Sequence, residues 1–360
     1  MTLLDSGVDS FTGIHPFLLV IAAAGLDRLV GDPRWCLHPV VVMGWGINRL
    51  RQLAESWAQD SPRRLRFAGA LITLLLGGGS AGAGWLLEQI SQRLPWSVGL
   101  PLLLIALASA LAGRSLEQAV QAVLRALPPA EAAEASADLS ADLSADLSAA
   151  RTALSWIVGR DTSELSRSEI LRAAAETASE NAVDGLFAPL FWMLMGAALW
   201  SAGVLQGPGP LALAWGFKAA STLDSMLGYR RGRLEWLGTA GARLDVLLVW
   251  LACRLVDLSL PLVQRASAAR SLQLMGLALK DGRPDPSPNA GVSQAIYAHC
   301  LGVQLGGVNR YGSGEKRKPL LAEGGAPVKS ASVLTMLQLS QRLELLWLMA
   351  ASSVGAAVHR

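Results

Sequence analysis

The sequence predicts an all-α, polytopic membrane protein whose functional site is formed by cytoplasmic helical and loop segments. Three observations predict it. Charged residues are 16% of the 360 and apolar residues 52%, against about 25% charged in an ordinary soluble domain. Phe67 to Leu87 and Leu94 to Gly113 carry no charge at all, and a membrane-crossing helix needs about 20 mostly apolar residues. No segment gives a strong strand signal. The competing reading is a soluble Leu/Ala-rich helical protein, but soluble core helices rarely run through such uncharged stretches.

The first expected span covers 11–30, where Phe17 to Leu26 is extended by Phe11 to Pro16. Spans at 67–87 and 94–113 follow. Gly185 to Phe217 is a longer uncharged run, broken by Gly207-Pro208-Gly209-Pro210. That turn signal makes it a helical hairpin with arms at 186–204 and 209–227, the second running past Lys218. A last span is expected at 345–359. Residues 1–360 are read as one integral-membrane domain. Ala-Asp-Leu-Ser occurs three times between Ala137 and Ser148. It could stack Asp138, Asp142 and Asp146 as a metal site, but 130–150 reads better as a low-complexity insertion without chemistry. Helices are expected from Ala149 to Val158, from Ser166 or Ser168 to Asp184, and from Val333 to Leu343. Asp281 to Pro288 and the glycine-rich Gly306 to Gly314 read as loops.

Arg28 to Arg66 holds seven arginines, and the link Glu88 to Arg93 holds one basic residue. Basic loops stay cytoplasmic. The amino terminus is therefore expected outside, with Arg28–Arg66, Arg114–Asp184 and Lys218–Glu344 inside. Trp85, Trp96, Trp192, Trp200, Trp215, Trp250 and Trp347 lie in or near the ends of apolar segments, as interfacial belts do. Three cysteines, widely spaced, suggest neither disulfides nor zinc and fit a reducing compartment. The first ten residues lack a basic n-region, so no cleavable signal peptide is expected. A net charge of +3 gives no reason to expect a nucleic-acid partner. The lipid bilayer is the partner expected, and a homo-oligomer stays open.

The chemistry concentrates before the apolar hairpin. Glu176, Glu180 and Asp184 are four residues apart and would share one helical face. Like charges at that spacing repel, which a cation among them would relieve. Mg²⁺ takes carboxylates together with substrate phosphates. A solvated acidic face is the plain alternative, weakened by the apolar run directly after Asp184. Lys218 and Asp224 interrupt the second hairpin arm, and Arg243 with Asp245 repeat the pattern; each could equally be a structural ion pair. Asp27, Asp32 and His38 stand after the first span. Ser287-Pro288-Asn289 could cap a helix running to His299. The amides of Gly306–Gly314 could receive an anion, although the loop lacks a P-loop ending.

These segments together resemble the cobinamide-phosphate synthase family (CobD/CbiB type). The matching pieces stand in order: Leu26-Asp27, Gly31-Asp32-Pro33, His38-Pro39-Val40; Ile157-Val-Gly-Arg-Asp-Thr162; Glu176-Thr177, Glu180-Asn181 and Asp184-Gly185; Lys218-Ala219, Thr222-Leu-Asp-Ser-Met226 and Gly228-Tyr229; Ala242-Arg-Leu-Asp245; Ser287-Pro-Asn-Ala-Gly291; and Leu305-Gly-Gly307 with Asn309 and Tyr311-Gly312. Val246 stands where the family usually has a second Asp, which weakens Asp245 as a metal ligand. The Asp-Leu-Ser repeat looks like a private insertion.

The resemblance implies an ATP- and Mg²⁺-dependent ligase of cobalamin biosynthesis in the bacterial inner membrane. It would join adenosylcobyric acid, a corrinoid, to the amino-alcohol phosphate (R)-1-amino-2-propanol O-phosphate. It assigns catalysis to Glu180, Asp184, Lys218, Asp224 and His38, with Lys218 on a phosphate. Substrate binding falls to Asp32, Arg160, Asp161, Glu176, Asn181, Tyr229, Arg243, Ser287, Asn289, Asn309 and Tyr311. Mg²⁺ would sit on Glu176, Glu180 and Asp184, with Asp245 in a lesser role. Two rivals are a Mg²⁺-dependent intramembrane prenyltransferase, which needs a second acidic helix, and a transporter, which expects internal repeats; neither feature is found.

Overall fold

The computed structural model describes residues 14–33, 37–128, 147–311 and 314–358. The expected low-complexity insertion lies largely outside the described residues. By their internal contacts the residues divide into two compact units, each discontinuous in sequence, where the sequence suggested one domain. The first comprises Met1–Arg114, Asp184–Leu251 and Trp347–Arg360; the second comprises Ser115–Val183 and Ala252–Leu346.

The first unit is helical among the described residues. It contains α1 (Pro16–Val30), α2 (Pro39–Ala58), α3 (Pro62–Arg93) and α4 (Trp96–Ala108). After a π turn at Val183–Phe187 come α8 (Ala188–Ser201), α9 (Pro210–Leu227), the short α10 (Leu234–Leu237) and the start of α11 (Thr239–Ser259). Proline at or beside the first position starts α1, α2, α3, α8 and α9, where its missing N–H is no loss. Small residues let the helices approach. A Cβ on Gly84 of α3 would lie 2.9 Å from the Ala212 backbone of α9, and one on Gly69 would meet the Leu237 carbonyl at 2.0 Å. Glu88 is fully buried and accepts the amides of Gly209, Leu211 and Ala212 at 3.0, 2.6 and 3.2 Å. It thereby satisfies the orphan donors at the start of α9. The expected link at Glu88–Arg93 is thus the last part of α3.

The second unit holds most of α5 (Gly113–Arg125), α6 (Ser148–Ser155) and α7 (Arg167–Ala182), then α12 (Ala268–Gly282) and α13 (Pro288–Leu301). Strands β1 (Leu305–Tyr311) and β2 (Gly314–Leu321) follow, then α14 (Ser330–Val358), which also enters the first unit. Ser166 and Glu169 form a reciprocal capping box at the start of α7. The backbones of α12 and α13 touch at Gly282 and Gly291, where any Cβ would clash with the other strand of chain.

Two features correct the sequence reading. The glycine-rich segment is an antiparallel β-hairpin pairing Val308 with Arg317 and Tyr311 with Gly314. Also, Thr239–Gln264 is apolar and long enough to cross a membrane, inside a stretch expected to be wholly cytoplasmic. Arg243, Asp245, Arg254 and Asp257 had divided its apolar run. Among the described residues, Pro62–Arg93 and Arg167–Ser201 also qualify, and α4 with α5 would form a fourth crossing bent by 43°. The expected spans at 11–30, 209–227 and 345–359 are helical where described but do not qualify; α1 has 15 residues.

Candidate functional site

The second unit gathers a charged cluster around α7. Glu176 is buried, with 1% of its surface exposed. One of its oxygens accepts from an Arg160 terminal nitrogen, and the other accepts the Gly306 amide at 3.0 Å. Arg160 also donates to Asn309 Oδ1 at 2.7 Å. Arg172, one turn before Glu176, donates to the carbonyls of Gly306 and Val308, the latter at 2.8 Å, and its Nε lies 4.0 Å from Glu176. The hairpin is therefore fastened to α7 by charge-assisted bonds. The glycines make this geometry available. Gly306 and Gly307 have φ of 81° and 96°, and a Cβ on Gly306 would lie 1.9 Å from the Pro319 carbonyl. A register shift between Leu305 and Gly307 turns the Gly306 amide away from the ladder and toward Glu176.

One turn later, Glu180 accepts from Gln294 Nε2 at 2.6 Å. Lys318, Asp285 and Glu176 lie within its electrostatic reach. Lys318 Nζ is 3.3 Å from Asp285 Oδ2, and Asp285 Oδ1 accepts the Ser287 amide at 2.8 Å. Burial alone would lower the Lys318 pKa; Glu180, Asp285 and Glu176 outweigh it and hold Lys318 above its ordinary value. Gln294 Oε1 and Asn309 Nδ2 are buried without a hydrogen-bond partner. Arg172, Asp285, Gln294 and Lys318 were not among the residues expected from sequence. They are scattered over α7, α12–α13 and β2, and short motifs do not bring them together.

The first unit holds a second cluster. Lys218 lies in the field of Asp32, Asp184 and Asp27. Asp27 is buried and accepts the Gly113 and Arg114 amides at 3.1 and 3.3 Å. His38 accepts the Val40 amide on Nδ1 at 3.3 Å, capping α2, and its Nε2 is 3.3 Å from Asp32. Asp224 and Asp245 are close enough to repel. A Cβ on Gly228 would meet the Asp224 carboxylate at 2.1 Å, which explains the glycine before Tyr229.

The expected row of Glu176, Glu180 and Asp184 is divided. Glu176 and Glu180 belong to α7, whereas Asp184 falls in the π turn and in the other unit. The wider turn ends the four-residue register. Among the described residues no three His, Cys, Asp or Glu side chains form a group able to hold a metal, and Glu176 is already committed to Arg160 and Gly306. Of the glycine-rich amides, that of Gly306 likewise serves an anion of the protein's own, Glu176. Asp161 is exposed and held below the usual carboxylate range by the Ser163 amide, then by the Ser163 hydroxyl. Its amide donates to the Arg310 carbonyl. Asn289 is buried and its carbonyl faces Cys253. Ser287 precedes α13 as expected, without a side-chain cap bond. Arg243 and Tyr229 are exposed, Asn181 is partly buried, and Tyr311 ends β1.

The family model described as CobD/Cbib protein matches residues 20–340. The cobalamin biosynthesis protein CobD of Synechocystis is 38% identical over 349 residues, covering 96% of this chain and 94% of that protein. CobD of Pelobacter propionicus is 37% identical, covering 83% of each. The cobalamin biosynthesis protein CbiB of Salmonella typhimurium is 32% identical, covering 92% of this chain and 93% of that protein. No solved structure matches. The ordered motifs, the helical fold and these relatives lead to one conclusion: the chain belongs to the CobD/Cbib protein family.

Proposed function

We propose that this chain is an ATP-dependent amide-bond ligase that joins adenosylcobyric acid to (R)-1-amino-2-propanol O-phosphate, giving adenosylcobinamide phosphate. It would work in the bacterial cytoplasmic membrane, with its site on the cytoplasmic side. Family membership supports a role in cobalamin biosynthesis. The observation that carries the chemistry is Glu180, a carboxylate held by Gln294 and faced by Lys318 and Asp285.

An amine does not displace oxygen from a carboxylate unaided. One carboxylate oxygen of the corrinoid must first become a leaving group by transfer of a phosphoryl or adenylyl group from ATP. Mg²⁺ would neutralise phosphate charge in that transfer. The residues fit a cation held by few protein ligands: Mg²⁺ commonly takes one or two carboxylates and draws the rest from phosphates and water. Glu180 and the unpartnered Gln294 Oε1 are oxygen donors of that kind. Glu176, expected beside Glu180, is bonded to Arg160 and to the Gly306 amide. Lys318 supplies positive charge for a phosphate. The ammonium of aminopropanol phosphate must lose a proton before attack.

The test is turnover of purified Glu180→Gln with ATP, Mg²⁺, cobyric acid and aminopropanol phosphate. Loss of corrinoid amidation with intact corrinoid binding supports a role for Glu180; turnover near that of the wild type removes Glu180 from the chemistry.

A further inference from the structure

In the first unit, α2 and the segment joining α9 to α10 form a basic cleft. Its volume is about 450 Å³, and Arg51, Glu55, Tyr229, Arg231 and Arg233 line it. None of Asp27, Asp32, Asp184 or Lys218 lines it. Arg51 and Arg233 each use only Nε on a carboxylate, Arg51 to Glu55 and Arg233 to Asp60, both at 2.8 Å. Their terminal nitrogens are left to other acceptors. The Arg231 guanidinium lies 5.0 Å from the Tyr229 ring centroid. Stacking of that kind fixes the plane of the group without consuming its donors.

Around the cleft, residues 49–66 and 229–237 carry eight arginines and three carboxylates. Two further arginines stack on indoles: Arg66 is 4.4 Å from the Trp236 ring centroid and Arg64 is 5.9 Å from that of Trp57. Directly beyond Arg66 the outer face of α3 turns apolar and open, with Phe67 64% and Leu74 70% exposed. Only 11% of the apolar window of this helix is buried. A ring of arginines and aromatics at the end of a lipid-facing helix sits at the depth of lipid headgroups.

We propose that this cleft binds the phosphodiester headgroup of an anionic membrane phospholipid. Guanidinium groups match phosphate oxygens in a two-pronged geometry, and an anionic leaflet attracts basic residues close to its surface. The charge excess supplies the attraction, the cleft supplies a place for one headgroup, and the apolar face of α3 receives the acyl chains. The carboxylate of Glu55 lies in the same cleft and disfavours a doubly charged phosphomonoester more than a singly charged phosphodiester. That distinguishes a lipid headgroup from a soluble phosphate.

The experiment is native mass spectrometry of the full-length protein released from a neutral detergent. It would be titrated with dioctanoyl phosphatidylglycerol, with dioctanoyl phosphatidylcholine, and with phosphatidylglycerol in the presence of glycerol 3-phosphate. We expect the anionic lipid to bind at least tenfold more tightly than the zwitterionic one, and glycerol 3-phosphate not to displace it. R51Q/R231Q should weaken the anionic lipid at least tenfold and leave the zwitterionic lipid unchanged. R231Q alone disturbs no carboxylate pair, so it should lose part of the preference even if the double variant folds poorly. Equal affinity for the two lipids, or anionic-lipid binding indifferent to R231Q, would overturn the proposal. Displacement by glycerol 3-phosphate would instead identify a soluble phosphate ester as the occupant.

Discussion

Glu176 is held by Arg160 on one oxygen and by the Gly306 amide on the other, and all three lie in the second unit. Removing Arg160 or Glu176 leaves the other charge buried without its nearest opposite charge, which costs about 3–5 kcal/mol. Glu176→Gln and Arg160→Met should therefore each lower the unfolding midpoint in detergent clearly. The double variant should lose less than the sum of the two, since they act on one interaction; strict additivity would show they are not a unit. Glu180 differs, because its neighbours are ones a substrate can replace. Lys318→Met should reduce kcat/KM by roughly a hundredfold, about 3 kcal/mol. Its effect should not vary with pH near neutrality. A raised lysine pKa gives stability that is complete below the ordinary value of 10.5 and lost only as pH rises through the raised one. The sequence makes Glu176, Glu180, Arg160 and Asn309 visible through their motifs. Gln294 and Lys318 could not be found that way, because only the packing of α7 against α13 and the hairpin gives them meaning.

At the scale of elements, the hairpin Leu305–Leu321 is the part that escaped the sequence. Gly306 and Gly307 weaken strand propensity, and β2 reads Gly-Glu-Lys-Arg-Lys-Pro, with its early residues exposed. In β1 the buried position between exposed Val308 and Arg310 is the polar Asn309, so no apolar alternation shows. The two glycines are there for positive φ and close approach, so Gly306→Ala should strain the bulge and unseat the amide from Glu176. We expect at least a tenfold fall in ligation with the protein still in the membrane; unchanged turnover would mean that the Gly306–Glu176 bond does not position the site. The helix Thr239–Ser259 was missed for the opposite reason. Its ionisable residues, Arg243, Asp245, Arg254 and Asp257, interrupt the apolar count. By contrast, α3 was legible from composition alone, because Phe67 to Leu87 carries no charge.

For the whole molecule, the arginine asymmetry and the apolar helices support a multi-pass arrangement. A reporter fused after Arg93 should read as periplasmic and one within 130–150 as cytoplasmic; reversal of both would place the motif-bearing segments away from ATP. A third fusion, after Gln264, tests whether Thr239–Gln264 crosses the bilayer. A crossing would place residues beyond 264 on the side opposite those before 239. Purified wild-type protein would be given ATP, Mg²⁺, adenosylcobyric acid and aminopropanol phosphate, with corrinoid mass and nucleotide followed together. We expect one amide formed for each ATP consumed, and no product when either ATP or Mg²⁺ is left out. Amide formation without ATP, or ATP consumed with no gain in corrinoid mass, would contradict the proposed ligation.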